Sequence, residues 1–186
     1  MKTKTKIPFS RLTAAQKRVA IARDALKQIK AQKLEINTGV WCDIEMEEVY
    51  PDVEKLDAQA LFLGRAAVPA IQPTCRTCAL GACLVSSVRL FDDFKLKTSD
   101  LDVDEIYKQL KKFFPVGQLL LIESAFEQRD WTDRSTSARH GQNVEKHITE
   151  AENTTAENFG LTYKDDTERA EAIFKNIVRN NGTFKP

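Results

Sequence analysis

The chain is poor in the signatures that name a reaction. Its 186 residues hold no G-x-x-x-x-G-K-[ST], no G-x-S-x-G, no H-E-x-x-H and no G-x-G-x-x-G. The common phosphate-cradling, nucleophile-elbow, zincin and dinucleotide-binding mechanisms therefore lack sequence support, which lowers the weight of an enzyme reading without excluding it. Histidine is scarce, with only His140 and His147, and no Glu-x-x-His motif exists to build a di-iron bundle. Long hydrophobic runs are missing too. The most apolar stretch, Ala79 to Leu90, contains serines and an arginine and falls short of the ~18 residues that a membrane-spanning helix needs. The opening Met1-Lys2-Thr3-Lys4-Thr5-Lys6-Ile7-Pro8 is basic but has no apolar core of a secretory signal. No internal repeat or low-complexity tract stands out.

What is present describes an ordinary globular protein. With 42% apolar and 30% charged residues, the chain can bury a core without disulfide or metal staples. The four cysteines are Cys42, Cys75, Cys78 and Cys83, three of them within nine positions, unlike a spaced disulfide framework. A reducing cytoplasm is the expected setting. Net charge is +1, yet residues 1–33 carry ten basic side chains against Asp24, and residues 43–57 carry seven acids against Lys55. The two blocks could face each other in the fold.

Periodicity predicts an all-α protein, a single compact domain over 1–186 of five or six helices, with a basic arm at 1–12 and a long polar connection at 129–166. Leu12, Ala15, Val19, Ala22, Leu26 and Ile29 recur at spacings of three and four, which makes one helix from Thr13, a credible N-cap, to Lys33 with Lys17, Asp24 and Lys27 opposite. Residues 40–49 could be extended or a loop, and Leu56 to Ala67 a short helix before Pro69. Thr74 is placed to cap a central helix from Arg76 to Phe91. Asp100–Phe114 and Gln118–Gln128 read as a helical hairpin around Pro115-Val116-Gly117, with Val103, Ile106, Leu110, Phe113, Phe114, Leu119, Ile122 and Phe126 inward. Glu150 to Asn158 could form a short helix. A last helix, Asp165 to Asn180, stops at Asn181-Gly182.

Four groups of residues could carry function. Cys75 and Cys78 form a C-x-x-C at a helix start, where a thiol pKa falls and zinc or redox chemistry becomes available. A single C-x-x-C is a weak motif, and Cys83 lies about 140° around a helix from Cys78, so buried unreactive thiols are the weightier reading. Glu123 and Glu127, one turn apart, could be acid/base carboxylates but read better as a charged flank. Lys4, Lys6, Arg11, Lys17 and Arg18 could neutralise phosphates of a nucleic acid, although the near-neutral chain and the absence of interleaved aromatics favour a solvated face. Trp131, Arg134, Arg139, His140 and His147 make the polar connection the richest set of recognition groups, suited to a protein partner or an anionic small ligand.

The segments Arg18-Val19-Ala20-Ile21-Ala22-Arg23-Asp24, Cys75 to Ser87, Gln118 to Glu127 and Ile177 to Pro186 resemble small uncharacterised proteins of phage and bacterial genomes. The resemblance is discontinuous and covers about half the chain. It carries no activity or site, and implies only a phage-like context in which small accessory proteins bind host components. The expectation is a non-enzymatic accessory protein that binds and modulates another macromolecule, acting on host metabolism or defence. Two alternatives stand beside it: a small-ligand or zinc-binding protein or enzyme using the Cys75–Cys83 helix and the His140/His147 loop, and nucleic-acid binding through the basic N-terminal segment.

Overall fold

The computed structural model describes residues 11–40, 43–44, 75–91, 103–128 and 146–186. Their helices are α1 (Ala14–Lys30), α2 (Ala79–Phe91), α3 (Val103–Leu110), α4 (Val116–Glu127), α5 (Glu150–Leu161) and α6 (Asp166–Arg179). Their strands are β1 (Leu34–Ile36), β2 (Asp43–Ile44) and β3 (Cys75–Thr77). The protein is mostly helical, as the periodicity predicts, with one small sheet added.

Side chains that take over orphan amides set the helix starts. Thr13 Oγ1 accepts from the Gln16 N–H at 3.3 Å and Gln16 Oε1 from the Thr13 N–H at 2.9 Å, a reciprocal capping box for α1. Thr149 and Glu152 repeat it at α5, at 3.2 and 2.7 Å. Asp165 caps α6 through the Glu168 N–H at 2.9 Å. The Asn181-Gly182 stop ends α6 with both residues at positive φ and the Gly182 N–H donating to Ile177 O at 2.8 Å. Gly182 is also required sterically, since a Cβ there would lie 2.5 Å from Ala15 O.

The residues Ala79 to Val88 are buried on every side of α2, so this helix is the centre of the core, as a helix apolar all round must be. α1 and α3 pack on it; α1 also packs on α6, and α4 packs mainly on α5. α3 and α4 are joined by the short turn before Val116; each meets α2, and Tyr107 reaches Glu123 between them. Of the expected inward residues, Leu110, Phe113, Phe114, Leu119, Ile122 and Phe126 are buried. In α1 the buried face runs through Ile21, Ala22, Ala25, Gln28 and Ile29. Asp24 is not opposite the core: it is half-buried and takes the Arg89 Nε–H of α2 at 3.1 Å.

The sheet has the order β1-β3-β2, with β1 parallel and β2 antiparallel to β3. Leu34 and Ile36 point inward while Glu35 points out, a two-residue period too short to register against helical spacing. Cys75 and Thr77 are buried and Arg76 half-buried, so the run that reads as the start of the central helix is strand, and the helix begins at Ala79. Glu150 to Leu161 is also firmer than a polar excursion: Asn153, Ala156 and Gly160 are buried against α4. Leu56–Ala67 and Thr74 lie outside the described residues.

Candidate functional site

Cys78 occupies the junction between β3 and α2. Its carbonyl accepts the Ala82 N–H at 2.9 Å, and its Sγ accepts the Gly81 N–H at 3.5 Å, so the thiol stands in for the capping hydroxyl. Its own N–H donates to Val40 O at 2.5 Å, which pins the 37–40 loop over the helix start. The same loop is held by two carboxylates: Asp166 accepts the Thr38 N–H at 2.8 Å and Glu127 the Gly39 N–H at 2.9 Å. Gly39 has φ +75°, the left-handed region that favours glycine.

Three acids gather beneath this cover. Glu123 is only 2% exposed and accepts the Tyr107 hydroxyl. Burial pushes the Tyr107 phenol well up, and the Glu123 carboxylate adds to the effect. Burial likewise drives the Cys78 thiol well up; the Gly81 N–H opposes this, and Glu127 and Glu123 reinforce it. Cys83, deeper in α2, is pushed up to about 12 by burial. A helix start ordinarily favours thiolate. Here desolvation and two carboxylates win, so Cys78 is held as a neutral thiol and the cluster works as a polar clamp among β3, α3 and α4. Cys75 is buried as well, on β3, with its Sγ 3.8 Å from Arg76 O. Among the described residues no group of three His, Cys, Asp or Glu is arranged to hold a metal; Cys42 and His140 lie outside them.

The basic segment divides. Arg11 is exposed, and Lys17 is half-buried with Nζ 5.8 Å from the Phe91 ring centroid. Arg18 serves the fold: Nε donates to Gly182 O at 2.5 Å and an Nη to Phe113 O at 3.0 Å, tying α1 to both the chain end and the turn before α4. Lys4 and Lys6 lie outside the described residues. So do Trp131, Arg134, Arg139 and His140 of the polar connection.

His147 is described and exposed. With Lys146 and Ile148 it closes a groove of about 390 Å³ against Val116, Gly117, Gln118 and Leu121 at the start of α4, with Glu152 of α5 on the rim. Gly117 allows this approach, because a Cβ would sit 2.6 Å from His147 O. Ile148 and Leu121 give the groove an apolar floor, while Lys146 and Glu152 set opposite charges at its edge. The hydrogen bonds from Thr149 hold the Glu152 carboxyl below its usual pKa, so the rim keeps its anion. No protein-family model, no curated protein and no solved structure matches this chain. Among the described residues no helix is long and apolar enough to cross a membrane.

Sequence reasoning misses two polar centres. Glu123 is not a solvated flank. The signal was available in the unbroken run Leu119-Leu120-Leu121-Ile122 ahead of it, because a helix apolar on all faces must bury whatever polar group it carries. Arg169 of α6 is the second, 4% exposed and hydrogen-bonded to Phe126 O and Tyr163 O at 3.0 Å, Gly160 O at 3.3 Å and Asp166 at 2.9 Å. With its amide turned so that the oxygen faces the guanidinium, Gln128 accepts at 2.9 and 2.6 Å as well. Nothing in the spacing of α6 distinguishes Arg169 from its exposed neighbours.

Proposed function

We propose that this chain is a non-enzymatic accessory protein that binds and modulates a protein partner through the groove between His147 and the start of α4. The observation that carries the reading is the composition of that groove: an apolar floor of Leu121 and Ile148 under a rim bearing Lys146, His147 and Glu152. Apolar centres with polar rims are how protein interfaces are built. The groove also adjoins in sequence the segment holding Trp131, Arg134, Arg139 and His140, whose aromatic and arginine side chains are typical binding anchors. The neutral, buried state of Cys78 and Cys83 supports binding over thiol chemistry. The resemblance to small phage proteins makes a host metabolic or defence component the partner we favour.

The test is capture from a bacterial lysate with the wild type and with the double variant Lys146→Glu/His147→Glu, its fold checked by circular dichroism. One stoichiometric protein held by the wild type and lost by the variant is the expected result. Equal retention by both would move the site elsewhere, and a wild type that holds no protein would overturn the reading.

A further inference from the structure

The outward face of α6 has a charge order that reads the same in both directions when two copies are laid antiparallel. Its inward face carries Arg169, Ala170, Ile173, Phe174 and Ile177. At 100° per residue, Glu168, Ala172, Lys175 and Arg179 fall on the opposite side, with Glu171 beside them. The acids occupy the first half and the bases the second. A two-fold axis crossing the helix between residues 173 and 174 sets Glu168 opposite Arg179 of the second copy, and brings Glu171 within one residue of Lys175 of the second copy, an offset of about 1.5 Å that these long side chains span. Each pairing occurs twice, as an isologous interface requires. Under the same axis Ala172 lies opposite Lys175 of the second copy, the small side chain leaving room for the long one.

The helix dipole accounts for an acid in the first turn and a base in the last. It does not account for what lies alongside. Glu168, Glu171, Ala172, Lys175 and Arg179 form one wall of an open cavity of about 460 Å³, whose other wall is Phe159 and Tyr163. These rings are 5.5 Å apart, and Phe159 is supported edge-on by the buried Phe184 at 5.3 Å. In the antiparallel arrangement Arg179 of the second copy arrives at the start of α6, between the Glu168 carboxylate and the Tyr163 ring, where a guanidinium gains both an ion pair and a ring face. Within one copy, Lys175 is already bonded to Glu171 at 2.5 Å, so pairing turns two separate bonds into a four-membered charge cluster across the axis.

From this order we infer that the α6 face is a self-association surface, and that its partner is a second copy of this chain packed antiparallel about an axis between residues 173 and 174. This surface is separate from the His147 groove and does not depend on it.

Sedimentation equilibrium at low salt tests it. The wild type is expected to show a concentration-dependent dimer that weakens with added salt. Two charge-reversed proteins, Glu168→Lys/Glu171→Lys and Lys175→Glu/Arg179→Glu, each carry one sign along the face. Alone, each should dimerise at least roughly tenfold more weakly, because attractions become repulsions. Mixed, they should form a one-to-one heterodimer. As a check that leaves the charges intact, Ala172→Cys should give an intermolecular disulfide under mild oxidation that the wild type does not give. A wild type that stays monomeric, or a dimer indifferent to both reversals, overturns the inference.

Discussion

The two buried polar centres solve opposite problems. Arg169 brings a permanent positive charge into the interior, and the fold surrounds it with oxygens: Phe126 O near the end of α4, Gly160 O near the end of α5, Tyr163 O in the following turn, and the Asp166 carboxylate. Helix C-terminal ends carry partial negative charge, so a cation where two helices finish is placed where the backbone already favours it. One turn back along α4, Cys78, Tyr107 and Glu123 collect where α2 begins, and burial keeps the thiol and the phenol protonated. One centre is stable because it is charged, the other because two of its members are not. Polar groups in this core are therefore distinguished by which protonation state the surroundings can satisfy.

High pH should separate the two centres most sharply. Burial pushes the Cys83 thiol up from its ordinary 9.0 to about 12 in the fold. Between those values the unfolded chain has released a proton that the native chain still holds, so stability falls as pH rises through that window and is whole below it. At about 1.4 kcal/mol per pH unit, Cys83 alone accounts for a loss of about 4 kcal/mol. Cys78 and Tyr107 are displaced in the same direction and add to it. Urea midpoints measured from neutral to strongly alkaline pH should drop steadily, and Cys83→Ala should flatten part of that slope. The same burial predicts that Cys75, Cys78 and Cys83 resist iodoacetamide until denaturant is added. Rapid labelling of Cys78 at neutral pH would return the thiol cluster to the list of reactive sites.

Arg169 should be next in effect. Arg169→Met strips the partner from five oxygens at once, and breaking such a buried charged centre is expected to remove about 3–5 kcal/mol. Arg169→Lys keeps the charge but cannot reproduce the planar fork, so it should recover only part of the loss. A urea titration giving less than about 1 kcal/mol for Arg169→Met would erase the contrast between the two centres.

The helices and their inward faces were legible because each rests on local chemistry that a sequence displays. Thr13 with Gln16, Asp165 before Glu168 and Asn181-Gly182 state where α1 and α6 begin or end. The burial of Ala79–Val88 follows from an apolar run with no polar side. The sheet was legible only at β2, within the 40–49 stretch that could be extended or a loop, since β1 and β3 pair across about forty residues and each is only three residues long. Cys75-Arg76-Thr77 carries no mark separating a strand from a helical first turn until Leu34-Glu35-Ile36 lies beside it. Candidate sites fared according to the same rule. His147 was chosen from composition, and its groove exists because Gly117 lets the backbone close in. Arg18 was chosen from charge, and its partners are carbonyls of Phe113 and Gly182, remote in sequence.

Tyr107→Phe tests the acid cluster more gently. Removing the hydroxyl leaves the Glu123 carboxylate without that donor, which should cost about 1–3 kcal/mol, while Glu123→Gln, which can still accept from Tyr107, should cost less. Equal losses would mean that the charge on Glu123 matters as much as the bond.

The smallest effect belongs to the pair linking α1 and α2. Asp24 Oδ2 accepts from Arg89 Nε at 3.1 Å, and both side chains retain some solvent contact, at 13% and 21%. Water therefore screens the attraction, and Gln28 is a second donor to Asp24 at 3.3 Å. Asp24→Asn should lower stability by about 1 kcal/mol or less, and the difference should shrink as salt is raised. Arg169 should respond less under the same treatment, because its own side chain is buried and three of its partners are backbone carbonyls, with only the Asp166 carboxylate partly exposed. If Asp24→Asn instead proved as damaging as Arg169→Met and insensitive to salt, the α1–α2 contact would belong with the buried charged centre. The division drawn between them would then have to rest on something other than exposure.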